Sequence, residues 1–311
     1  MAALKQAPWI NDFRLVDGRV RSNIGGDMRF DWLLITDIAR WLTYYVMVRA
    51  YGAWKRISAP SGLRIWFTPA PPRPWYIVWA VATWAGIDFA ARPQDADAGF
   101  YFEDLTKGCC APAPTGLRVL NGACTDVSKS HVADVFESVF GYPLAIDPTC
   151  WCGAAAQKSE RNGAHDGRIV QCPLQPAPGM VYQRLIDSED ATGMVCDLRT
   201  ACIGGKPIIV FVKHKPADAR FSIQNKTVVV RTPEEVFSAE EIAKISAYCA
   251  AMDMDWGALD VLRERRDGRI YIVDANKTDT GPAVILSWKD RVRVTSALAN
   301  ALTALVRASA S

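Results

Sequence analysis

Two apolar runs, WGALDVLRER at 256–265 and GRIYIVDANK at 268–277, meet at an Asp267-Gly268 pair. Apolar runs flanking such a dipeptide read as a β-hairpin, which commits this part of the chain to antiparallel sheet. Each run carries an acid inside its apolar stretch: Asp260 lies between Leu259 and Val261, and Asp274 follows Ile272 and Val273, with Asn276 two residues on. Residues i and i+2 of a strand share a face, so Asp274 and Asn276 project together. An unpaired carboxylate on a half-buried strand is costly. Together with Asp260 from the partner strand they form an oxygen-only set, the kind hard divalent ions such as Mg²⁺ prefer. The competing reading is an acidic pair facing solvent; the aliphatic neighbours favour the metal.

Composition narrows the rest. The chain has 311 residues, half of them hydrophobic, and 36 Lys and Arg against 33 Asp and Glu. A net charge of +3 gives no electrostatic footprint for nucleic acid. Nine cysteines, an odd number at irregular spacing, point to reduced thiols and not to a disulfide framework. Cys150-Trp-Cys152 has no second cysteine pair, and His131, His165 and His214 cannot supply a zinc-enzyme ligand set by themselves. The start, MAALKQAPWINDF, shows no apolar stretch behind a basic one, so no signal peptide is expected. The apolar stretch at 30–54 is broken by Asp37, Arg40 and Arg49, and that at 75–87 is shorter than the ~20 residues a span requires. A cytoplasmic protein is expected.

Seven of the eleven tryptophans fall between Trp32 and Trp84. Within 30–54, Leu34, Ile38, Trp41, Tyr45 and Val48 recur at three- and four-residue steps, the pattern of an amphipathic helix. Residues 1–60 hold nine Lys and Arg against five Asp, so this helix either lies in a membrane interface or packs on the neighbouring domain. Next, GLRIWFTP, AGFYFED and LRVLNG read as strands and PPRPWYIVWAVATWAG as a proline-started helix, a small α/β unit with parallel pairing. SKSHVADVFESVFG predicts a helix ended by Gly141, and residues 153–175 are glycine-rich and polar around Lys158. After Pro178 come a strand MVYQRLID, a hairpin turned by Gly204-Gly205, a helix with Ser238 and Glu241 in a capping box, the acidic hairpin and a last helix at about 288–308.

An aspartate strand followed by an Asp-x-Asn strand resembles the metal-binding hairpin of the ATP-grasp superfamily. Other parts stand in that family's order. MVYQRLID resembles the strand against which adenine lies, with Gln183 where glutamate is usual and Arg184, Leu185 and Ile186 after it. CDLRTACIGGKPI resembles the succeeding Asp-x-Arg strand and Gly-Lys turn. AAAQKSERNGAHDG resembles the lysine-bearing lid strand and its flexible loop. The likeness spans residues 128–282, and YQRLID, DLR and DANKT are closest to a teichuronopeptide-biosynthesis-like group. Gln183, and Lys277 where proline often follows the asparagine, depart from the pattern without removing a metal ligand.

The resemblance implies an α/β plus α+β protein of ATP-grasp fold. A Trp-rich basic helical extension (1–60) would precede a small α/β unit (61–122), a lid subdomain (123–178) and an antiparallel-sheet lobe carrying the metal site (179–311). It implies an ATP- and Mg²⁺-dependent ligase that joins a carboxylate to an amine through an acyl phosphate. Asp260, Asp274 and Asn276 would hold the metal; Lys129, Lys158, Gln183, Arg184, Leu185 and Ile186 would hold ATP, with the loop 159–167 folding over the phosphates. Arg199 would grip an acyl phosphate with Lys213, because a guanidinium binds such groups through two parallel bonds. For Lys215 a salt-bridged strand surface is an equal alternative, and His214 points to the opposite face. The substrate would be a small molecule or a peptide or glycan precursor. One alternative is modification of a cell-envelope glycan at the inner membrane face, with residues 30–54 as a peripheral contact. Another is nucleotide binding without catalysis.

Overall fold

The computed structural model describes residues 8–22, 27–111, 114–164, 166–221, 225–281 and 285–310. His165 and Pro282 lie outside the described residues. The region 1–60, expected to be helical, opens instead with a three-stranded antiparallel sheet, β1 (Phe13–Val16), β2 (Arg19–Ser22) and β3 (Asp27–Arg29). These strands are three or four residues long and mostly exposed, so they carry no apolar alternation for sequence reasoning to detect. The helix α1 (Trp32–Ser58) follows, its first turn capped by Asp31, whose carboxylate accepts from the Leu34 amide at 2.9 Å.

A four-stranded parallel sheet comes next, in the order β5-β4-β6-β7: β4 (Arg64–Pro69), β5 (Asp88–Phe89), β6 (Ala98–Phe102) and β7 (Val119–Leu120). The parallel pairing is as the sequence predicts. The helix between β4 and β5, α2 (Ile77–Trp84), is not started by its prolines: Tyr76 is the N-cap, and the Ile77 amide bonds the Asp279 carbonyl at 3.0 Å. All eight residues of α2 are buried. It is sandwiched by α1 and the C-terminal α5 (Trp288–Ala310). A Cβ on Gly52 of α1 would stand 2.3 Å from the Thr83 carbonyl oxygen. Gly52→Ala is therefore expected to push the two backbones apart and cost about 1–3 kcal/mol by denaturant unfolding, the range for overpacked cores.

Two further sheets hold the candidate site. β10 (Met180–Arg184), β8 (Gly153–Ser159) and β9 (Arg168–Cys172) form an antiparallel sheet in that order. The expected boundary at 178/179 thus cuts between paired strands, since Val181 stands opposite Lys158 and Gln183 opposite Ala156. The larger sheet runs β13-β12-β11-β14-β15, with β11 (Met194–Ile203), β12 (Lys206–Pro216), β13 (Thr227–Arg231), β14 (Trp256–Arg263) and β15 (Ile270–Asn276). β11 and β12 join through Gly204 and Gly205 at φ 59° and 71°, the two left-handed positions that a two-residue hairpin of this hand requires.

One face of this sheet packs under α3 (Lys129–Phe140) and α4 (Ala239–Ala251), with Leu198, Leu259 and Val261 in that core. Ser238 and Glu241 make the expected reciprocal cap of α4. The other face is divided. Ala201, Ile203, Phe211 and Trp256 join the core of α1, α2 and α5, and beyond them the face becomes charged. Directly opposed residues of an antiparallel pair lie on the same side. The registers Asp197↔Lys213, Arg199↔Asp260, Asp260↔Asp274 and Ala258↔Asn276 put all these side chains on that one face. A bulge makes this possible: Asp260 opposes Asp274 but Val261 opposes Ile272, leaving Val273 as an extra residue on β15.

Candidate active site

Arg199 is the centre of the charged face. Its Nη1 donates to Asp260 Oδ1 at 2.7 Å and its Nη2 to Asp279 Oδ1 at 2.6 Å, all three side chains being largely buried. Burial alone would disfavour the guanidinium charge, but Asp260 and Asp279 hold it well above its ordinary value. Burial would likewise raise the Asp260 carboxyl; Arg199 and Lys213 overcome that and hold it well below the usual carboxylate range. The neighbouring Asp197 goes the other way. Burial and the charge of Asp260 push its carboxyl up against the pull of Lys213 and Lys215, and its Oδ1 has no hydrogen-bond partner among the described residues. Lys215, 3.8 Å from Asp197, faces into this cluster.

Asp274 is neutralised from a different element. Lys129, the first residue of α3, is almost fully buried and places Nζ 2.6 Å from Asp274 Oδ1, which also accepts from the Ala275 amide. Asn276 Oδ1 accepts from the Thr278 amide at 2.9 Å. Lys158 projects from β8 and donates to Gln183 Oε1 at 2.9 Å. Burial pushes its ammonium down to about 8, against the attraction of Asp274. Because lysine can only donate, the contact fixes the Gln183 amide with its oxygen toward Lys158. Its Nε2, inside a residue 1% exposed, has no hydrogen-bond partner among the described residues. Gln183 lines a cavity of about 220 Å³ together with Lys129, Ser130, Ala145, Ile146 and Met180.

Most of the residues singled out from the sequence therefore meet: Asp274, Asp260, Arg199 and Lys213 on the large sheet, Lys129 from α3, and Lys158 with Gln183 from the small sheet. The hinge residues after Gln183 do not join them. Arg184 stacks its guanidinium on Trp151 and Tyr271, 5.5 and 5.9 Å from the ring centres, because successive strand residues face opposite ways. Ile186 is buried in the core under α3 and α4, and Leu185 is half-buried beyond the end of β10. The loop after β8 is already tied down: the Ser130 amide and hydroxyl both donate to Glu160, and the Asn162 amide donates to Thr106 Oγ1. His214 lies apart, against Asp190 and Thr227.

Sequence reasoning missed Asp279 and the loop around it. Thr278 Oγ1 donates to Asp104 at the end of β6, and Lys277, 2% exposed, donates to the Cys124 carbonyl. A signal existed: an arginine inside the apolar strand CDLRTACI needs buried acceptors, and an acid beyond the one already named was the place to look.

Among the described residues no three His, Cys, Asp or Glu gather as a metal-binding group. Mg²⁺ itself asks for less, usually one or two carboxylates with waters and substrate phosphates. Asp260 and Asp274, opposed in register beside Asn276, fit that requirement, and the buried ammonium beside Asp274 shows that the place accepts a cation. The free Nε2 of Gln183 beside a cavity fits a ligand with an acceptor edge.

No protein-family model and no curated protein sequence matches the chain. Solved structures do. The ATP-grasp ligase PsnB complexed with a minimal precursor, Mg and ADP is 13% identical, with a TM-score of 0.52, covering 79% of this chain and 97% of that one. PsnB with the precursor peptide PsnA2 and AMPPNP is 12% identical, with a TM-score of 0.51, covering 80% and 99%. The strand orders, the parallel sheet followed by two antiparallel ones and this likeness agree: the chain has the ATP-grasp fold.

Proposed function

We propose that the protein is an ATP- and Mg²⁺-dependent ligase that joins a carboxylate to an amine through an acyl phosphate. The observation that carries this reading is the gathering of Lys129 from α3 and Lys158 from β8 with Arg199, Lys213, Asp260 and Asp274 of the large sheet in one buried cluster. Phosphoryl transfer needs little covalent chemistry from a protein and much fixed positive charge in a poorly hydrated cleft. Lys158 and Gln183 bind the nucleotide from the small sheet, and Lys129 approaches from the start of α3. Asp260, Asp274 and Asn276 would hold Mg²⁺, which when bound supplies charge that neutralises phosphate oxygens. Arg199, held rigid by two carboxylates, orients the substrate carboxylate, and Lys213 offsets the charge of the phosphorylated product. The carboxylate oxygen bonds the γ-phosphorus as the bond to ADP breaks; the amine then displaces phosphate and its proton passes to solvent. PsnB's complexes with a precursor peptide make a peptide carboxylate the first substrate to try, beside small carboxylic acids.

The test is ADP and phosphate release with Mg²⁺ across pairs of carboxylates and amines. Release of AMP would contradict an acyl phosphate, and tight nucleotide binding without turnover on any pair would favour the non-catalytic reading. A pH dependence should accompany it. Lys158 in the nucleotide-free protein loses its proton near pH 8, so ATP affinity is expected to fall as pH rises through about 8, while Lys158→Met binds weakly at every pH. Calorimetric titration of a non-hydrolysable ATP analogue measures both.

A further inference from the structure

Thirteen of the eighteen large hydrophobic side chains exposed among the described residues lie between Ile10 and Ile57. α1 buries Tyr44, Val48 and Gly52, with Tyr44 bonded to Thr295 of α5 and Gly52 against Thr83 of α2, so this helix packs on the core. Its outer side is apolar too. Ile35, Ile38, Leu42, Val46 and Ile57 are all exposed at steps that set them along one stripe, and Trp32 at the N-terminal end is 76% exposed. A helix that is apolar on both sides is a helix with two partners. Exposed Trp288 joins the region, because Arg291 at the start of α5 donates to the Arg40 carbonyl of α1.

The charge around the stripe identifies the second partner. Residues 1–60 carry nine Lys and Arg less five Asp, a net +4, while the whole chain carries +3. Arg14, Arg21 and Arg29 are exposed on the β1–β3 sheet that leads into α1, and Arg40 and Arg49 are exposed on the helix. A second copy of the chain fits poorly. An isologous contact would set this basic surface against itself. The stripe, about 33 Å long and about 10 Å wide, offers roughly 330 Å² to a partner, against about 800 Å² per side in a stable interface. A lipid surface needs no matching shape, and anionic headgroups complement the arginines while tryptophan favours the interface. No helix among the described residues is long and apolar enough to cross a membrane.

We propose that the outer face of α1 and the arginine-bearing β1–β3 sheet dock on an anionic lipid surface, with α1 in the plane of the interface. Trp32, Ile35, Ile38, Leu42 and Val46 enter among the acyl chains, and the arginines sit at the headgroups. The active-site charges lie on a different sheet and take no part, so this docking stands or falls apart from the ligase reading.

The experiment is flotation of the full chain with vesicles of two parts phosphatidylcholine to one part phosphatidylglycerol, and with vesicles of phosphatidylcholine alone. Wild type is expected to float with the first and not the second, and to be released by salt. Arg14→Glu/Arg21→Glu/Arg29→Glu is expected to weaken binding about 100-fold, at about 1 kcal/mol per basic residue near an anionic surface. Leu42→Ser/Val46→Ser should float poorly even at low salt. All five positions are exposed, so melting temperatures should match wild type; if a variant melts early, salt release of wild type still decides. Wild type that stays in the aqueous fraction with anionic vesicles overturns the proposal. So does a solution dimer that Leu42→Ser/Val46→Ser dissociates, or capture by soluble polyglutamate without flotation.

Discussion

Asp274→Asn is expected to reduce Mg²⁺-dependent nucleotide turnover by about 10²–10³-fold, the scale of deleting one fixed charge that acts in the transition state. The substitution is nearly isosteric and keeps an oxygen, but it removes a unit of negative charge from a place that must hold a dication. Its effect on stability follows from the structure. A carboxylate cluster lacking metal would repel itself, and neutralising one member would then stabilise the fold. Here Asp274 is paired with Lys129 at 2.6 Å, and that lysine is almost fully buried. The asparagine leaves a buried ammonium with a neutral acceptor. Melting temperature should therefore fall, and Lys129→Met in the same chain should recover part of the loss without restoring turnover. Asn276→Ala, which removes a neutral oxygen that water can replace, should be milder. Turnover of Asp274→Asn at the wild-type rate would place the metal elsewhere.

Arg199→Met is expected to be the most destabilising single change in the site. One guanidinium satisfies Asp260 and Asp279, and breaking a buried pair by removing one partner costs about 3–5 kcal/mol because the other charge stays buried. Arg199→Lys keeps the charge but cannot reach two carboxylates with a planar fork, so it should fall between. The acid limb gives an independent readout. Asp260 is held well below its ordinary range, so its contribution is present above the unfolded value and is lost only as pH falls toward the folded one. In Arg199→Met that restraint is gone, so the destabilisation should be largest near neutral pH and shrink as acid neutralises the unpaired carboxylates. Urea unfolding across the acidic range measures both effects; a variant with an unchanged acid limb would show that Arg199 does not govern Asp260.

What the sequence made legible was local or period-bound. Gly204-Gly205 and the Ser238/Glu241 cap are chemistry fixed by adjacent residues, and both stand where expected. Asp274 and Asn276 share a face because strands alternate, and the register with β14 agrees. Three things stayed hidden for physical reasons. The β1–β3 strands are too short and too exposed to pattern. β10 belongs with β8 and β9 through hydrogen bonds between segments some 25 residues apart, a pairing that no local signal encodes. Arg184 follows Gln183 in the strand that resembles an adenine-binding one, yet alternation turns it toward Trp151 and Tyr271, where ring faces hold its charge. Asp279 was hidden differently, as the far partner of a charge already in view.

The bulge at Val273 bears on how such a strand can change length over generations. Losing Ala275 would turn Asn276 to the opposite side of the sheet, because every step along a strand reverses direction. Losing Val273 would not. Ile272 already opposes Val261 and Asp274 already opposes Asp260, so its removal restores plain alternation with each neighbour on its present side. What would be lost is the local bend and added twist that a bulge confers, shifting the Asp274 carboxylate without redirecting it. In a stretch where identity is constrained at alternate positions, Val273 is thus the residue through which the chain can shorten and keep its acids facing one another.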